Sequence, residues 1–127
     1  MPKKILLVED NLKNRAIMRD ILVFHEYSVR EAENGEQAVE AARAEKPDLV
    51  LMDIRMPVMD GCQAIKLLRT DERTRDVKII AVTSYAMESD RERILASGAD
   101  AYVSKPFELP ALVELVKKLL AYAPKPA

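Results

Sequence analysis

Acidic, hydroxyl and basic side chains follow four apolar runs of the sequence, at the point where each run ends. Glu9 and Asp10 follow the first run, and Asp53 follows the third. Thr83 follows the fourth run and Lys105 the fifth. Parallel α/β sheets bind ligands outside the carboxyl ends of their strands. If these runs are parallel strands, three carboxylates, a hydroxyl and an ammonium group converge on one edge of a sheet.

Three carboxylates in one crevice repel each other. Two like charges 4 Å apart cost about 4 kcal/mol at an effective dielectric constant of 20. That cost is large beside the ~5–15 kcal/mol by which natural domains are stable. Lys105 offsets part of the repulsion, and a hard divalent cation would offset more. Mg²⁺ prefers a few carboxylate oxygens, retains several waters and takes phosphate oxygens. The residue set therefore predicts a magnesium site suited to phosphate chemistry.

Each of these positions also has an ordinary structural explanation. An acidic residue or amide after a strand is often a helix cap, and Asp10 or Asn11 could serve in that way. Thr83 could be a solvated loop residue. Caps do not explain why all of these side chain types end strands at the same edge, so the complete set favours a functional site.

The elements that would position these residues alternate along the chain. Strands are predicted at Ile5–Val8, Tyr27–Ala32, Leu49–Met52, Val77–Val82 and Ala101–Ser104. The first helix is predicted after the cap Asn11, with Ile17, Ile21 and Phe24 at helical spacing and Met18 and Leu22 beside them. The other helices are predicted at Glu36–Glu45, around Ala64–Leu68, at Glu88–Ser97 before Gly98, and from about Pro110 to Tyr122. The charged segment from Thr70 to Asp76 is predicted to be a surface connection. This alternation predicts a parallel sheet with helices on both faces and right-handed crossovers.

Length and composition fit one domain over residues 1–127, with a core at about 3–122 and a frayed tail at 123–127. Of the 127 residues, 49% are apolar and 32% are charged, which is typical of a globular protein. The net charge of −1 favours neither nucleic acid nor an anionic membrane as a partner. No run is long enough to span a membrane. The single Cys62 suits a reducing compartment, so we expect a cytoplasmic protein.

Four segments together resemble the receiver domain of a two-component response regulator. They are Leu7–Asn11 (LVEDN), Leu51–Gly61 (LMDIRMPVMDG), Val82–Ser84 (VTS) and Tyr102–Phe107 (YVSKPF). The resemblance extends from about Lys3 to Leu120. It implies a flavodoxin-like, three-layer α/β/α fold with five helices and a five-stranded parallel sheet of order 2-1-3-4-5.

The resemblance also implies chemical roles for the residues at the sheet edge. Asp53 matches the family's phosphoacceptor, and it would form an acyl phosphate with the help of Mg²⁺. Asp10 and Asp53 would bind the metal directly, Glu9 through water, and Arg55 through its backbone carbonyl. Lys105 would stabilise the charge on the transferred phosphoryl group. The domain would assist its own phosphorylation and dephosphorylation without being an enzyme that acts on another substrate.

A switch and its partners follow from the same resemblance. Thr83 matches the hydroxyl that binds the phosphoryl group, and Tyr102 matches the aromatic residue that changes rotamer with it. The bond before Pro106 is expected to be cis. Phosphorylation would remodel the surface of helix four, strand five and helix five, which a downstream protein target or output domain would read. The phosphoryl donor would be a histidine kinase or a histidine phosphotransfer protein.

Other functions fit the sequence less well. A hydrolase of the haloacid dehalogenase kind needs a second acid two residues after the nucleophile, where this chain has Arg55. A pseudo-receiver that binds partners without being phosphorylated remains the alternative. His25 has no catalytic neighbours in the sequence, and Cys62 fits a packing role. Direct nucleic acid binding is not expected, and whether the chain acts alone or within a longer regulator stays open.

Overall fold

The apolar runs form five parallel strands in one sheet of order β2-β1-β3-β4-β5, which confirms the predicted order. The computed structural model describes residues 2–55, 59–83 and 88–121, although not the side chains of 88–90. Part of the predicted Leu51–Gly61 segment, Ser84, Tyr122 and the predicted frayed tail at 123–127 lie outside the described residues. The strands are β1 Lys4–Val8, β2 Ser28–Ala32, β3 Leu49–Asp53, β4 Lys78–Thr83 and β5 Ala101–Ser104.

Five helices connect and cover these strands, as predicted. They are α1 Leu12–Phe24, α2 Gly35–Ala44, α3 Gly61–Thr70, α4 Glu88–Ser97 and α5 Leu109–Ala121. The predicted cap Asn11 accepts a hydrogen bond from the Asn14 N–H at 2.9 Å, and this bond satisfies a free donor of the first turn of α1. Gly98 ends α4 with φ of +119°, a conformation that side chains other than glycine rarely adopt.

Two apolar cores lie on opposite faces of the sheet because successive strand residues point to opposite sides. Leu6, Val50 and Ile79 belong to the core shared with α2, α3 and α4. Leu7 and Leu51 belong to the core shared with α1 and α5. Strands covered on both faces need continuous apolar runs, which explains why β1, β3 and β4 are recognisable in the sequence.

Only some of the apolar residues that predict α1 are buried. Phe24 is 78% exposed and Ile17 is 52% exposed, although both occur at helical spacing with Ile21. The buried face of α1 carries Met18 and Leu22, which the sequence places beside them. Ile17, Ile21 and Phe24 satisfy a period of 3.6 residues, and so do Met18 and Leu22. Contact with the sheet and α5 decides that Met18 and Leu22 are buried.

The segment between α3 and β4 also differs from the predicted surface connection. Thr74 is fully buried within it, and its hydroxyl donates to the Leu68 carbonyl at 2.7 Å. Arg69 lies beside this segment and donates to the Val77 carbonyl at 2.6 Å and the Gly98 carbonyl at 2.9 Å. The charged residues of the segment therefore surround an anchored turn that fixes the start of β4.

The residue that follows the α1 cap suggests a stabilising substitution. Glu26 has φ of +68°, and its N–H donates to the Val23 carbonyl at 2.9 Å in the turn that ends α1. A side chain costs about 1 kcal/mol in this conformation, whereas glycine does not pay that cost but loses more entropy on folding. We expect Glu26→Gly to raise the free energy of unfolding in urea by about 0.5 kcal/mol. Glu40→Gly, in the exposed middle of α2, should lower it by about 1 kcal/mol, and equal effects of the two changes would contradict the prediction.

Candidate functional site

The register of the strands brings the predicted residues together at the carboxyl edge of the sheet. Val8 pairs with Met52, so the residues that follow them, Glu9 and Asp53, lie side by side. Asp53 in turn pairs with Val82 on β4. At the end of β4, Thr83 pairs with Ser104 of β5, which precedes Lys105.

Lys105 joins two of the carboxylates directly. Its Nζ lies 3.2 Å from Asp53 Oδ2 and 3.3 Å from Glu9 Oε1. Both partners are buried, with Glu9 2% exposed and Asp53 5% exposed. The Lys105–Pro106 peptide bond is cis. Burial by itself would lower the pKa of Lys105, but the Asp53 and Glu9 carboxylates raise it above its ordinary value. Lys105 therefore stays charged between them.

Glu9, Asp10 and Asp53 form an acidic cluster in which one carboxylate oxygen of each residue lies within 4.8 Å of the others. Burial, followed by the nearby Asp53, raises the pKa of Glu9 from its ordinary 4.5 to about 7. Lys105 does not fully offset this effect. Asp10 is exposed and leaves the cluster open to solvent. An oxygen-only donor set with excess negative charge and an open side fits a hard divalent cation such as Mg²⁺.

The backbone around Asp53 holds its carboxylate in place. The Arg55 N–H donates to Asp53 Oδ1 at 3.1 Å, while the Ile54 N–H donates to the Val82 carbonyl at 3.0 Å. The Gly61 N–H closes the loop by donating to the Ile54 carbonyl at 2.9 Å. Asp53 thus presents its other oxygen, Oδ2, to Lys105. The assignment of the Arg55 carbonyl as a metal ligand stays a prediction.

The predicted switch residues lie beside this site. Thr83 is fully buried at the end of β4, and its carbonyl accepts a hydrogen bond from the Lys105 N–H at 2.7 Å. Tyr102 is half-buried on β5. The Arg91 guanidinium of α4 lies 5.4 Å from the centre of the Tyr102 ring, a cation–π arrangement. The switching roles of Thr83 and Tyr102 stay predictions.

Two site contacts were missed from the sequence. The Asn14 side chain amide donates to Glu9 Oε1 at 3.2 Å. Arg15 is buried and donates from Nη1 to the Glu9 carbonyl at 2.9 Å. A signal for Arg15 was present, because it precedes Met18 and Leu22 at helical spacing on the buried face of α1.

His25 and Cys62 take structural positions in the fold. His25 caps the C-terminus of α1, at the opposite end of that helix from Glu9 and Asp10. Cys62 is buried in the core, and burial raises the pKa of its thiol. A raised pKa disfavours the reactive thiolate. Within the described part of the chain, no helix combines the length and apolar character needed to cross a membrane.

Comparisons with known proteins agree with this geometry. The Polar-differentiation response regulator DivK of Brucella anthropi is 41% identical, over 97% of this chain and 100% of that protein. The receiver domain of a sensor histidine kinase from Pseudomonas aeruginosa, solved with a magnesium ion coordinated in its active site cleft, superposes with a TM-score of 0.90. That structure is 37% identical and covers 96% of this chain and 100% of the other.

A third relative was solved together with a partner. The receiver domain of the Saccharomyces cerevisiae response regulator Ssk1, in complex with the histidine phosphotransfer protein Ypd1, superposes with a TM-score of 0.89. It is 31% identical and covers 94% of this chain and 90% of the other. The family model for the response regulator receiver domain matches residues 5–117. The chain belongs to the response regulator receiver domain family.

Proposed function

We propose that Asp53 accepts a phosphoryl group from a phosphohistidine donor and that this event switches the domain. The observation that carries the proposal is the contact of Lys105 Nζ with Asp53 Oδ2 at 3.2 Å inside a cluster of three carboxylates. A buried carboxylate beside a fixed cation, at the edge where parallel α/β sheets bind ligands, suits transfer to an acidic side chain.

The transfer forms one bond and breaks one. An Asp53 carboxylate oxygen bonds to phosphorus, and the P–N bond of the phosphohistidine breaks. The imidazole leaves with the electron pair of that bond, and Asp53 becomes a mixed acyl phosphate. Phosphoryl transfer needs positioning and charge stabilisation more than covalent help. Lys105 supplies a fixed positive charge where the transferred oxygens arrive.

The acidic cluster would hold the divalent cation that the chemistry needs. Asp10 and Asp53 would bind Mg²⁺ directly, Glu9 through water, and Arg55 through its backbone carbonyl. When bound, the cation neutralises the negative charge of the carboxylates and the phosphoryl oxygens. The pKa of Glu9 is raised first by burial and then by the nearby Asp53, and a bound cation would offset both effects.

Phosphorylation would change the surface formed by α4, β5 and α5. Thr83 would bind a phosphoryl oxygen, and Tyr102 would change rotamer in response. Arg91 stacks on the Tyr102 ring, so the rotamer of Tyr102 is coupled to the position of α4. A downstream protein target or output domain would bind the surface formed by α4, β5 and α5.

The phosphoryl donor would be a histidine kinase or a histidine phosphotransfer protein in the cytoplasm. A groove of about 520 Å³ runs along α1 to Lys105 and is lined by Ile17, Phe107 and Leu109. Ile17 is 52% exposed, so the groove presents apolar surface to a partner. A donor bound in this groove would place its phosphohistidine near Asp53. The yeast receiver solved with a histidine phosphotransfer protein supports this class of partner.

Intact mass after incubation with acetyl phosphate and Mg²⁺ tests the proposal. We expect the wild type to gain one phosphoryl group and to lose it again with time, because an acyl phosphate hydrolyses in water. Asp53→Asn should gain none. Asp20→Asn removes an exposed carboxylate elsewhere on α1 and should behave as the wild type. A wild type that stays unmodified with Mg²⁺ present would support the pseudo-receiver instead.

A further inference from the structure

Arg15 is a buried cation whose role the transfer chemistry does not explain. It is 8% exposed, and among the described residues no other arginine or lysine is buried to this degree. Burying a guanidinium is costly unless hydrogen bonds and opposite charges compensate. Its partners therefore indicate what it does.

The Arg15 guanidinium bridges β1 and β2 at the edge of the acidic cluster. Nη1 donates to the Glu9 carbonyl at 2.9 Å, and Nε donates to Glu31 Oε1 at 3.0 Å. Nη2 lies 3.8 Å from Glu33 Oε1. The planar fork of an arginine can hold such separate acceptors at a fixed spacing, which a lysine cannot.

These contacts fix the backbone of Glu9 against β2. The Glu9 N–H donates to the Ala32 carbonyl at 3.1 Å, and the Glu9 carbonyl accepts from Arg15. Both backbone groups of Glu9 are thus bound just before the chain reaches Asp10. Strand β2, which places no side chain of its own in the acidic cluster, holds Glu9 through the Ala32 carbonyl and, by way of Glu31, through Arg15.

We propose that Arg15 is a positioning residue that orients Glu9 and Asp10 for binding a divalent cation. This inference rests on the metal site of the proposed function. Orientation of carboxylate ligands by outer partners commonly changes metal affinity by about 10-fold to 100-fold. Arg15 acts on the ligands through the peptide group between them, without touching the cation.

Charge and positioning predict opposite effects of removing Arg15. A nearby guanidinium repels a divalent cation, so a purely electrostatic role predicts tighter metal binding when the charge is lost. A positioning role predicts weaker binding, because the Glu9–Asp10 turn is no longer held. Arg15→Lys separates the electrostatic role from the positioning role further, since it keeps the positive charge and loses the planar guanidinium that binds several acceptors.

Titration with Mn²⁺ alone, followed by the electron paramagnetic resonance signal of free Mn²⁺, measures the affinity without any phosphoryl transfer. We expect Arg15→Met to bind Mn²⁺ about 10-fold more weakly than the wild type. Arg15→Lys should also bind more weakly. Arg19→Met is the matched control, because Arg19 contacts Glu31 at 3.4 Å but does not contact Glu9. It should keep the wild-type affinity.

The outcomes distinguish this inference from the proposed function. Equal or tighter binding by Arg15→Met, or full wild-type affinity in Arg15→Lys, would overturn the positioning role alone. Wild type and Asp10→Asn binding Mn²⁺ equally weakly would overturn the metal site and the positioning role together. Circular dichroism establishes that each variant is folded, and Arg15→Lys keeps the test decisive if Arg15→Met does not fold.

Discussion

Gly61→Ala is expected to destabilise the protein by about 3 kcal/mol and to weaken divalent cation binding at the same time. A methyl group at position 61 would lie 2.5 Å from the Asp53 carbonyl oxygen and 2.7 Å from Ile54 Cα. Both atoms belong to the backbone, so no rotamer change relieves the clash. The chain between Asp53 and Gly61 has to move, and Asp53 is the residue on which the site depends.

Urea unfolding and Mn²⁺ titration of the same variant measure the two effects. Gly98→Ala is the control, because a methyl group there would lie 2.7 Å from Arg69 Cγ, in a backbone with φ of +119°. Gly98→Ala should also lower the free energy of unfolding, but it should leave the Mn²⁺ affinity unchanged. A Gly61→Ala variant that loses affinity no more than Gly98→Ala would show that Gly61 matters for packing only.

The fold could be predicted because its signals are local. Leu49–Met52 is a continuous apolar run, as a strand buried on both faces requires, and Asp53 follows it directly. Parallel pairing then places the residues after each strand at one edge, so Glu9 and Lys105 come within 3.3 Å of each other although they are 96 residues apart. Strand ends were therefore sufficient to predict the acidic cluster and its lysine.

Other features depend on pairings that the sequence does not display. Arg15 has the spacing of the buried residues of α1, but the sequence does not show that its partner is Glu31, 16 residues later. On α1, Ile17 and Phe24 share the period of the buried residues, and only contact with the sheet decides which set is covered. Thr74 lies among charged residues, and its burial follows from a bond to Leu68 in the preceding helix.

The metal-free protein is expected to lose stability as the pH rises from about 4.5 to above 7, because of Glu9. Burial and the nearby Asp53 raise the pKa of Glu9 in the folded state to about 7, above its ordinary 4.5. The folded protein therefore binds a proton that the unfolded chain releases at lower pH. The stabilisation is complete below the unfolded pKa and is lost as the pH rises through the folded pKa.

The size of the change in the free energy of unfolding follows from the difference between the folded and unfolded pKa values of Glu9. Each pKa unit corresponds to about 1.4 kcal/mol, and solvent at the open side of the cluster screens part of the interaction, so the change between 4.5 and about 7 is worth at most about 3 kcal/mol. Urea unfolding in EDTA at several pH values measures it as the difference between the wild type and Glu9→Gln. Groups that titrate equally in both proteins cancel in that difference, and Glu9→Gln has no proton to lose at this position.

Mg²⁺ should reverse the loss, which links the pH effect to the site. At about pH 8, above the raised pKa of Glu9, that residue has lost its proton, so a cation that binds only the folded state stabilises it by mass action. We expect added Mg²⁺ to raise the free energy of unfolding more at pH 8 than at pH 5, where protons compete for Glu9. In Asp10→Asn, the pH dependence of the metal-free protein should change little, because Asp10 is exposed whereas Glu9 is buried. The stabilisation by Mg²⁺ should decrease more in this variant. If the wild type and Glu9→Gln show the same pH dependence in EDTA, Glu9 is not the residue that holds the proton.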